Sequence, residues 1–399
     1  MPTLDDVRNS PNILSVDYQH AAVAQRIQLT GHIHQALPDV CEQAYAEHWD
    51  ALNKQGEERW DLVFDKSERV RRGFAQMVDG QSEYLALASS VHDLFVRFLS
   101  ALPFVEGGRI VTTDAEHPSI GRQLARFHEA GRVEVVQVSA TPVDNLVERL
   151  AANINDKTLA VCVSSVNFEN GQQTLELDTL LPVCQKFGAE LFVDAYQSVN
   201  VLPFSLQDYN LEQAFVVGGG AKYCQMGNGI CFMNVPPGRD YRPQVTGWFG
   251  NFDPVLDDPA AMPVAYSDGA SRFNGSSNDA LPLFRASHVL DYFATRDLNV
   301  DFLADVNHHQ LSFMAKKFLS LGLDPALIKL PVDVEYMGGF MGFKSPHAQV
   351  ISEHMRDRGV HTDYCKDWLR LGPAPYLCDE QLEDGILALQ ESVEELARG

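Results

Sequence analysis

Basic residues are scarce in this 399-residue chain: 31 Lys and Arg face 54 Asp and Glu, a formal net charge of −23. A surface that negative repels polynucleotide phosphates and anionic headgroups, so neither nucleic acid nor a membrane surface is an expected partner. Any anionic ligand must be held by local devices, such as a helix N-terminus or one placed arginine. The seven cysteines, Cys41, Cys162, Cys184, Cys224, Cys231, Cys365 and Cys378, contain no CxxC pair and are expected to be reduced. There is no apolar run of bilayer-spanning length, and the opening MPTLDDVRNSPNIL has neither the basic start nor the apolar core of a secretory signal, so the expected location is the cytoplasm. His347, His354 and His361 recur every seven residues, but Gly359 is expected to end the helix between the last two, so no metal site is expected. A dinucleotide fingerprint and a phosphate-binding P-loop are also missing, because the glycines near Lys222 have the wrong spacing for either.

What is present is ordinary for a folded protein, with 45% hydrophobic and 21% charged residues. From about 70 to 235, helix-like and strand-like segments alternate. VHDLFVRFLSAL and SIGRQLARFHEAG carry helical apolar spacing, while RIVTTD, VEVVQV, TLAVCVSS, AELFVDAY and QAFVVGG are apolar, partly β-branched runs of strand length. TLLPVCQKFGA between two such runs supplies a crossover helix. The expected fold is α/β, a mostly parallel sheet of seven-stranded type between helices, followed by a smaller C-terminal α/β domain. The expected partition is an N-terminal segment 1–50 packing on the small domain, a large domain 51–280 and a small domain 281–399. Within it, 236–280 reads as a long irregular loop rich in Pro, Gly, Asp and Asn.

Ligands of such sheets sit beyond the C-terminal ends of the strands, and those ends here carry TTDAEHPS, SSVNFENG and VDAYQS. Lys222 follows 28 residues after Asp194, which ends one of the buried strands. An amine that attacks an aldehyde must first lose its proton, and a desolvating pocket makes that loss easier. A carboxylate facing a pyridine nitrogen keeps the ring protonated as an electron sink. Together these residues describe a pyridoxal phosphate site.

Four segments in order, TTDAEHPSI, SSVNFENGQ, VDAYQSVNVLPFSL and GGGAKYCQMGNGICF, resemble the fold-type I, class V pyridoxal-phosphate-dependent enzymes, the aminotransferase class V and cysteine desulfurase-like family. The resemblance implies catalytic roles for Lys222, Asp194 and His117. Lys222 forms the aldimine with pyridoxal 5'-phosphate, Asp194 pairs with the ring nitrogen, Gln197 bonds the phenolic oxygen or the aldimine, His117 stacks on the ring, and Asn167 touches the same oxygen. Ser89 and Ser90, at the start of an expected helix, face the phosphate or simply cap the helix. The stretches VTGWFGNFD and SRFNGSSNDALPLFRASHVLDYF resemble the kynureninase branch, which implies that Trp248 approaches the phosphate and that Ser276 reaches it from the other subunit of a homodimer.

Other positions depart from that branch: Ala221 precedes the lysine, His117 replaces its phenylalanine, Gln197 its histidine, and DYQHAAVA its N-terminal motif. Cys365 lies too close to Arg370 to match the mobile cysteine of a desulfurase. Arg370, flanked by leucines, suits a grip on a substrate α-carboxylate, with a structural ion pair as the alternative. The expected activity is on a small amino acid with kynureninase-like lyase or hydrolase chemistry. Class V transamination is the alternative, and a non-catalytic binding protein on the same fold is the third.

Overall fold

The computed structural model describes residues 2–54, 56–252 and 262–398, so the part of the expected loop at 253–261 lies outside the described residues. The central sheet is built of β1 (Leu85–Ala88), β2 (Arg109–Thr113), β3 (Glu134–Val138), β4 (Thr158–Ser164), β5 (Glu190–Asp194), β6 (Phe215–Gly219) and β7 (Cys231–Asn234). Their order across the sheet is β1-β7-β6-β5-β4-β2-β3, and only β7 runs against its neighbours. The five parallel strands are those expected from their β-branched apolar runs, and β4, β6 and β7 are buried along their whole length. A strand covered on both faces has no polar side to alternate with, which is why these runs are continuous.

After α1 (Cys41–Lys54), which packs on other helices, the helices that cover the sheet include α2 (Arg59–Met77), α3 (Val91–Ala101), α4 (Pro118–Glu129), α5 (Leu146–Ala151) and α6 (Leu180–Phe187). Leu94, Phe95, Phe98 and Leu99 form the buried stripe of α3, and Phe95 and Phe98 both pack on Phe192 of β5 with ring centroids 4.9 and 4.8 Å away. That contact fixes the N-terminus of α3 over the C-terminal end of the sheet. Beyond the sheet come α7 (Leu281–Arg296) and α8 (Val300–Ser320), then a three-stranded antiparallel sheet of β8 (Met341–Lys344), β9 (Asp363–Cys365) and β10 (Trp368–Leu371), with α9 (Ala348–Asp357) against it and α10 (Asp379–Arg398) packed on α8 and α9. The N-terminal residues Ile27 and Gln28 pair in parallel with Val360 and His361, and Thr30 bridges to Gly372. The expected irregular loop is irregular where described, with 3-10 turns only at Trp248–Gly250 and Gly269–Phe273. Among the described residues no helix is long and apolar enough to cross a membrane.

Candidate active site

Lys222 lies on the loop that closes a hairpin between β6 and β7, where Gly220 N–H donates to Ile230 O at 2.9 Å. The glycines around it are explained first by packing. A Cβ on Gly219 would stand 2.6 Å from Cys231 Sγ and from the Tyr196 ring, and one on Gly220 would stand 2.7 Å from Met226 Cβ. Gly229 has φ +101, a backbone that L side chains rarely adopt. Arg285 of α7, buried, donates from Nε to Met226 O and from Nη2 to Asn228 O, and so ties the far side of the loop to α7. Replacing Arg285 by methionine strands those two carbonyls without donors. We expect a loss of roughly 2–4 kcal/mol in chemical denaturation, and an unchanged unfolding midpoint would show that the loop does not depend on it.

The cavity beside Lys222 has a volume of about 420 Å³ and brings together Ser89, Ser90, His117, Asp194, Gln197 and Lys222, six of the residues expected from sequence. That volume is in the range of about 300–1,000 Å³ usual for small-molecule sites. A larger cleft of about 580 Å³ between α2, α7 and α8 contains none of them, so convergence of groups rather than size marks this site.

Electrostatics set the amine apart. Burial lowers the Lys222 pKa to about 8, with Asp194 opposing that shift and Arg370 adding to it. A lysine in that range supplies free amine at neutral pH far more readily than an exposed one. Burial also raises the Asp194 carboxyl, against the N–H of Tyr196, which donates to Asp194 Oδ1 at 2.9 Å, and against the charges of His117 and Lys222. The Lys222 Nζ stands 5.0 Å from the centroid of the Tyr196 ring, and Tyr196 Oη accepts from Ala221 N–H at 3.2 Å. Asp194 and Lys222 are thereby tied to one rigid turn after β5.

His117 caps α4. Its Nδ1 accepts from Ser119 N–H at 3.2 Å, Pro118 follows at the first helical position, and the ring meets Phe168 edge-on at 5.1 Å. With Nδ1 used as an acceptor, the neutral ring carries its proton on Nε2, and burial lowers its pKa. Gln197 is fixed at both ends: its Oε1 accepts from Tyr223 Oη–H at 3.0 Å and its Nε2 donates to His32 O at 3.3 Å. Ser90 accepts from Asp93 N–H at 3.1 Å, and Ser89 bonds the Asp93 carboxylate. Ser90 is therefore the helix cap, and both serines line the cavity at the N-terminus of α3.

Four expected residues lie elsewhere. Asn167 does not line the cavity, because its Oδ1 accepts from Glu169 N–H at 2.8 Å and Asn170 N–H at 3.2 Å and so serves its own turn. Trp248 stacks on Phe252 at 4.8 Å and donates from Nε1 to Phe252 O at 3.1 Å, away from the cavity. Ser276 lines a neighbouring cavity of about 450 Å³, which shares Ser89 and Gly229 with the first. Arg370 forms the ion pair: Nε donates to Asp363 Oδ1 at 2.8 Å, Nη2 to Asp363 Oδ2, and Nη1 to Phe168 O at 2.7 Å.

Several lining or supporting residues have no role assigned from the sequence, although most lie within the quoted segments. Glu116 accepts from Thr113 Oγ1 at 2.6 Å and from Ser164 Oγ at 2.5 Å, which fixes Ser164 beside Asp194. Burial raises its pKa to about 7 against those hydrogen bonds. Phe168, Tyr196 and Ile33 also line the cavity, and Cys231 does so with its thiol pushed by burial up to about 12. All seven cysteines are free. Among the described residues no three His, Cys, Asp or Glu side chains are grouped to hold a metal ion.

A lysine after the sixth strand of a mostly parallel seven-stranded sheet, facing a buried aspartate, defines the chain as an α/β enzyme of fold type I. The aminotransferase class-V family matches residues 30–235, more than half of the chain, and the chain belongs to that family. The uncharacterized aminotransferase YcbU of Bacillus subtilis (strain 168) is 23% identical over 307 residues, 74% of this chain and 78% of that protein. Among solved structures, the cystine C–S lyase C-DES with its product cysteine persulfide superimposes with TM-score 0.80 at 16% identity, over 93% of this chain and 99% of that one. The cysteine desulfurase of Thermococcus onnurineus NA1 gives 0.79 at 15% identity, over 96% and 98%. Likeness at that identity establishes the fold.

Proposed function

We propose that the chain is a pyridoxal-phosphate-dependent enzyme acting on a small amino acid, and that its reaction is transamination. The observation that carries the reading is Lys222, an amine with lowered pKa that shares one cavity with the buried Asp194. The donor set fits the cofactor: an amine for the aldehyde, a carboxylate for the ring nitrogen, an imidazole on a helix cap, and the N-terminus of α3 with Ser89 and Ser90 for a phosphate. C-DES has been solved with glycine covalently linked to that cofactor. When bound, pyridoxal phosphate condenses with amines and its protonated ring accepts electrons from the substrate's α-carbon.

The chain's own residues then divide the work. Asp194 would face the ring nitrogen and keep it protonated. Lys222 would hold the cofactor's aldehyde group and, as a free amine, would carry a proton from the substrate's α-carbon. His117 and Gln197, each locked by protein hydrogen bonds, would contact the cofactor from fixed positions. The enclosing cavity excludes bulk water from the exchange.

Transamination is preferred because the matched family and the curated relative are both named for it. Kynureninase-like chemistry rests on loop likeness alone, and Trp248 and Ser276, which carry that likeness, do not reach the cavity within one chain. A homodimer that brings Ser276 to the partner's site stays part of the proposal. The reaction is tested by incubating the loaded protein with amino acids with and without 2-oxoacids. Transamination requires the 2-oxoacid for turnover. Steady release of alanine, or of sulfide, without one would instead identify a lyase.

A further inference from the structure

Tyr196 stands between Asp194 and Gln197 on the turn after β5, and its side chain lines the cavity beside Lys222. It meets both functional groups of the site. Its backbone N–H donates to Asp194 Oδ1 at 2.9 Å, its hydroxyl accepts from Ala221 N–H at 3.2 Å, and its ring centroid is 5.0 Å from Lys222 Nζ. The hydroxyl also hydrogen-bonds the sulfur of Cys231 on β7. Gly219 leaves room for the ring, since a Cβ there would stand 2.6 and 2.7 Å from two of its carbons. Held by the glycine, the sulfur and the amide, the ring has one fixed place. The amide it accepts from belongs to the residue before the lysine, so ring and amine share one frame.

The cavity offers the amine little counter-charge. Burial disfavours the charged form of Lys222 most, Asp194 opposes that, Arg370 adds to it, and Asp363 and Cys231 oppose it more weakly. Asp363 is already engaged by the Arg370 guanidinium through Nε and Nη2. The Cys231 thiol is pushed by burial up to about 12 and so stays neutral. His117 and His32 also feel the amine, but burial lowers both, and a neutral imidazole supplies no charge. Asp194, once it serves a ring nitrogen, is no longer free for the lysine. What remains beside the amine is the face of Tyr196. An aromatic face is electrostatically negative and attracts an ammonium within about 6 Å of its centroid, most strongly where water is excluded.

We propose that Tyr196 is a positioning residue whose ring face seats the Lys222 ammonium, so that the lysine can take up a proton in a cavity with no free carboxylate to receive the charge. The inference rests on the function proposed above, in which Asp194 faces the ring nitrogen and Lys222 carries the proton. The face supplies the attraction, and the hydroxyl fixes the ring and the Ala221 backbone. Substitution separates the two.

The test reads the titration of the Lys222 amine in the full-length protein freed of cofactor, by trace acetylation across a pH series and mass-spectrometric mapping of the Lys222 peptide. Wild-type labelling is expected to rise through a midpoint at about 8. Tyr196→Leu removes the face, so the charged form loses a partner and the midpoint is expected to fall by roughly 0.5–1 pH units. Tyr196→Phe keeps the face and is expected to titrate like the wild type. Tyr196→Phe carrying one, then three, ring fluorines keeps the shape while weakening the negative face, and is expected to lower the midpoint stepwise. That series decides the question even if Tyr196→Leu does not fold. A midpoint unchanged or raised in folded Tyr196→Leu, or flat across the fluorinated series, overturns the proposal. So does an equal fall in Tyr196→Phe, which would give the role to the hydroxyl. The labelling needs no cofactor, so a failure of the underlying function is read separately: wild-type protein that gains no visible absorption with pyridoxal phosphate refutes the cofactor reading, whatever the midpoints.

Discussion

Asp194→Ala is expected to lose turnover by roughly a hundred- to a thousand-fold, the scale of removing one preorganised electrostatic partner, while cofactor affinity falls far less. The carboxylate sits at the end of β5 with one oxygen held by Tyr196 N–H, so its direction is fixed before any ligand arrives. Once it is gone, nothing keeps a nearby pyridine nitrogen protonated, and the substrate's α-carbon proton becomes harder to remove. The groups at the start of α3, proposed to face the phosphate, and the Lys222 amine are untouched, which is why binding is expected to survive better than catalysis. Equilibrium dialysis beside steady-state kinetics separates the two, and equal losses in both would make Asp194 a binding residue only.

Lys222→Ala is expected to lose still more, because one side chain both holds the cofactor and moves the proton. Proton transfer alone accounts for about 10²–10⁴-fold. The fold should persist, since a desolvated amine with its pKa lowered to about 8 is costly to bury and its removal relieves that cost. A thermal midpoint no lower than wild type, together with loss of turnover, is the expected pair of results. Unfolding of the variant would assign Lys222 a structural role instead.

The parallel strands were readable because strands covered on both faces must be apolar and β-branched for their whole length, as TLAVCVSS is in β4. The flanking strands β1 and β7 are not legible in the sequence, since LALA and CFMN are four residues each and carry no period to detect. In the site, Lys222, Asp194, His117 and Gln197 were legible as ordered motifs, and the cavity brings them together. Among the glycines near Lys222, Gly219 and Gly220 are required by the packing of Tyr196, Cys231 and Met226. Asn167 and Trp248 were carried over by likeness, and local bonds to Glu169, Asn170 and Phe252 retain them outside the cavity. The pairing of His32 with Asp363 spans 331 positions, and that of Arg285 with Met226 spans 59, so neither leaves a local pattern. Arg370 signalled burial by its leucine neighbours, but its partner Asp363 became clear only from the register of β9 on β10.

The central claim is that the Lys222 amine is the group joined to the cofactor. The most direct measurement is borohydride reduction of the protein reconstituted with pyridoxal phosphate, followed by peptide mapping by mass spectrometry. The account predicts loss of the visible absorption band and a stable adduct on the peptide that contains Lys222. An adduct on another lysine, or none on protein shown to be reconstituted, would contradict it.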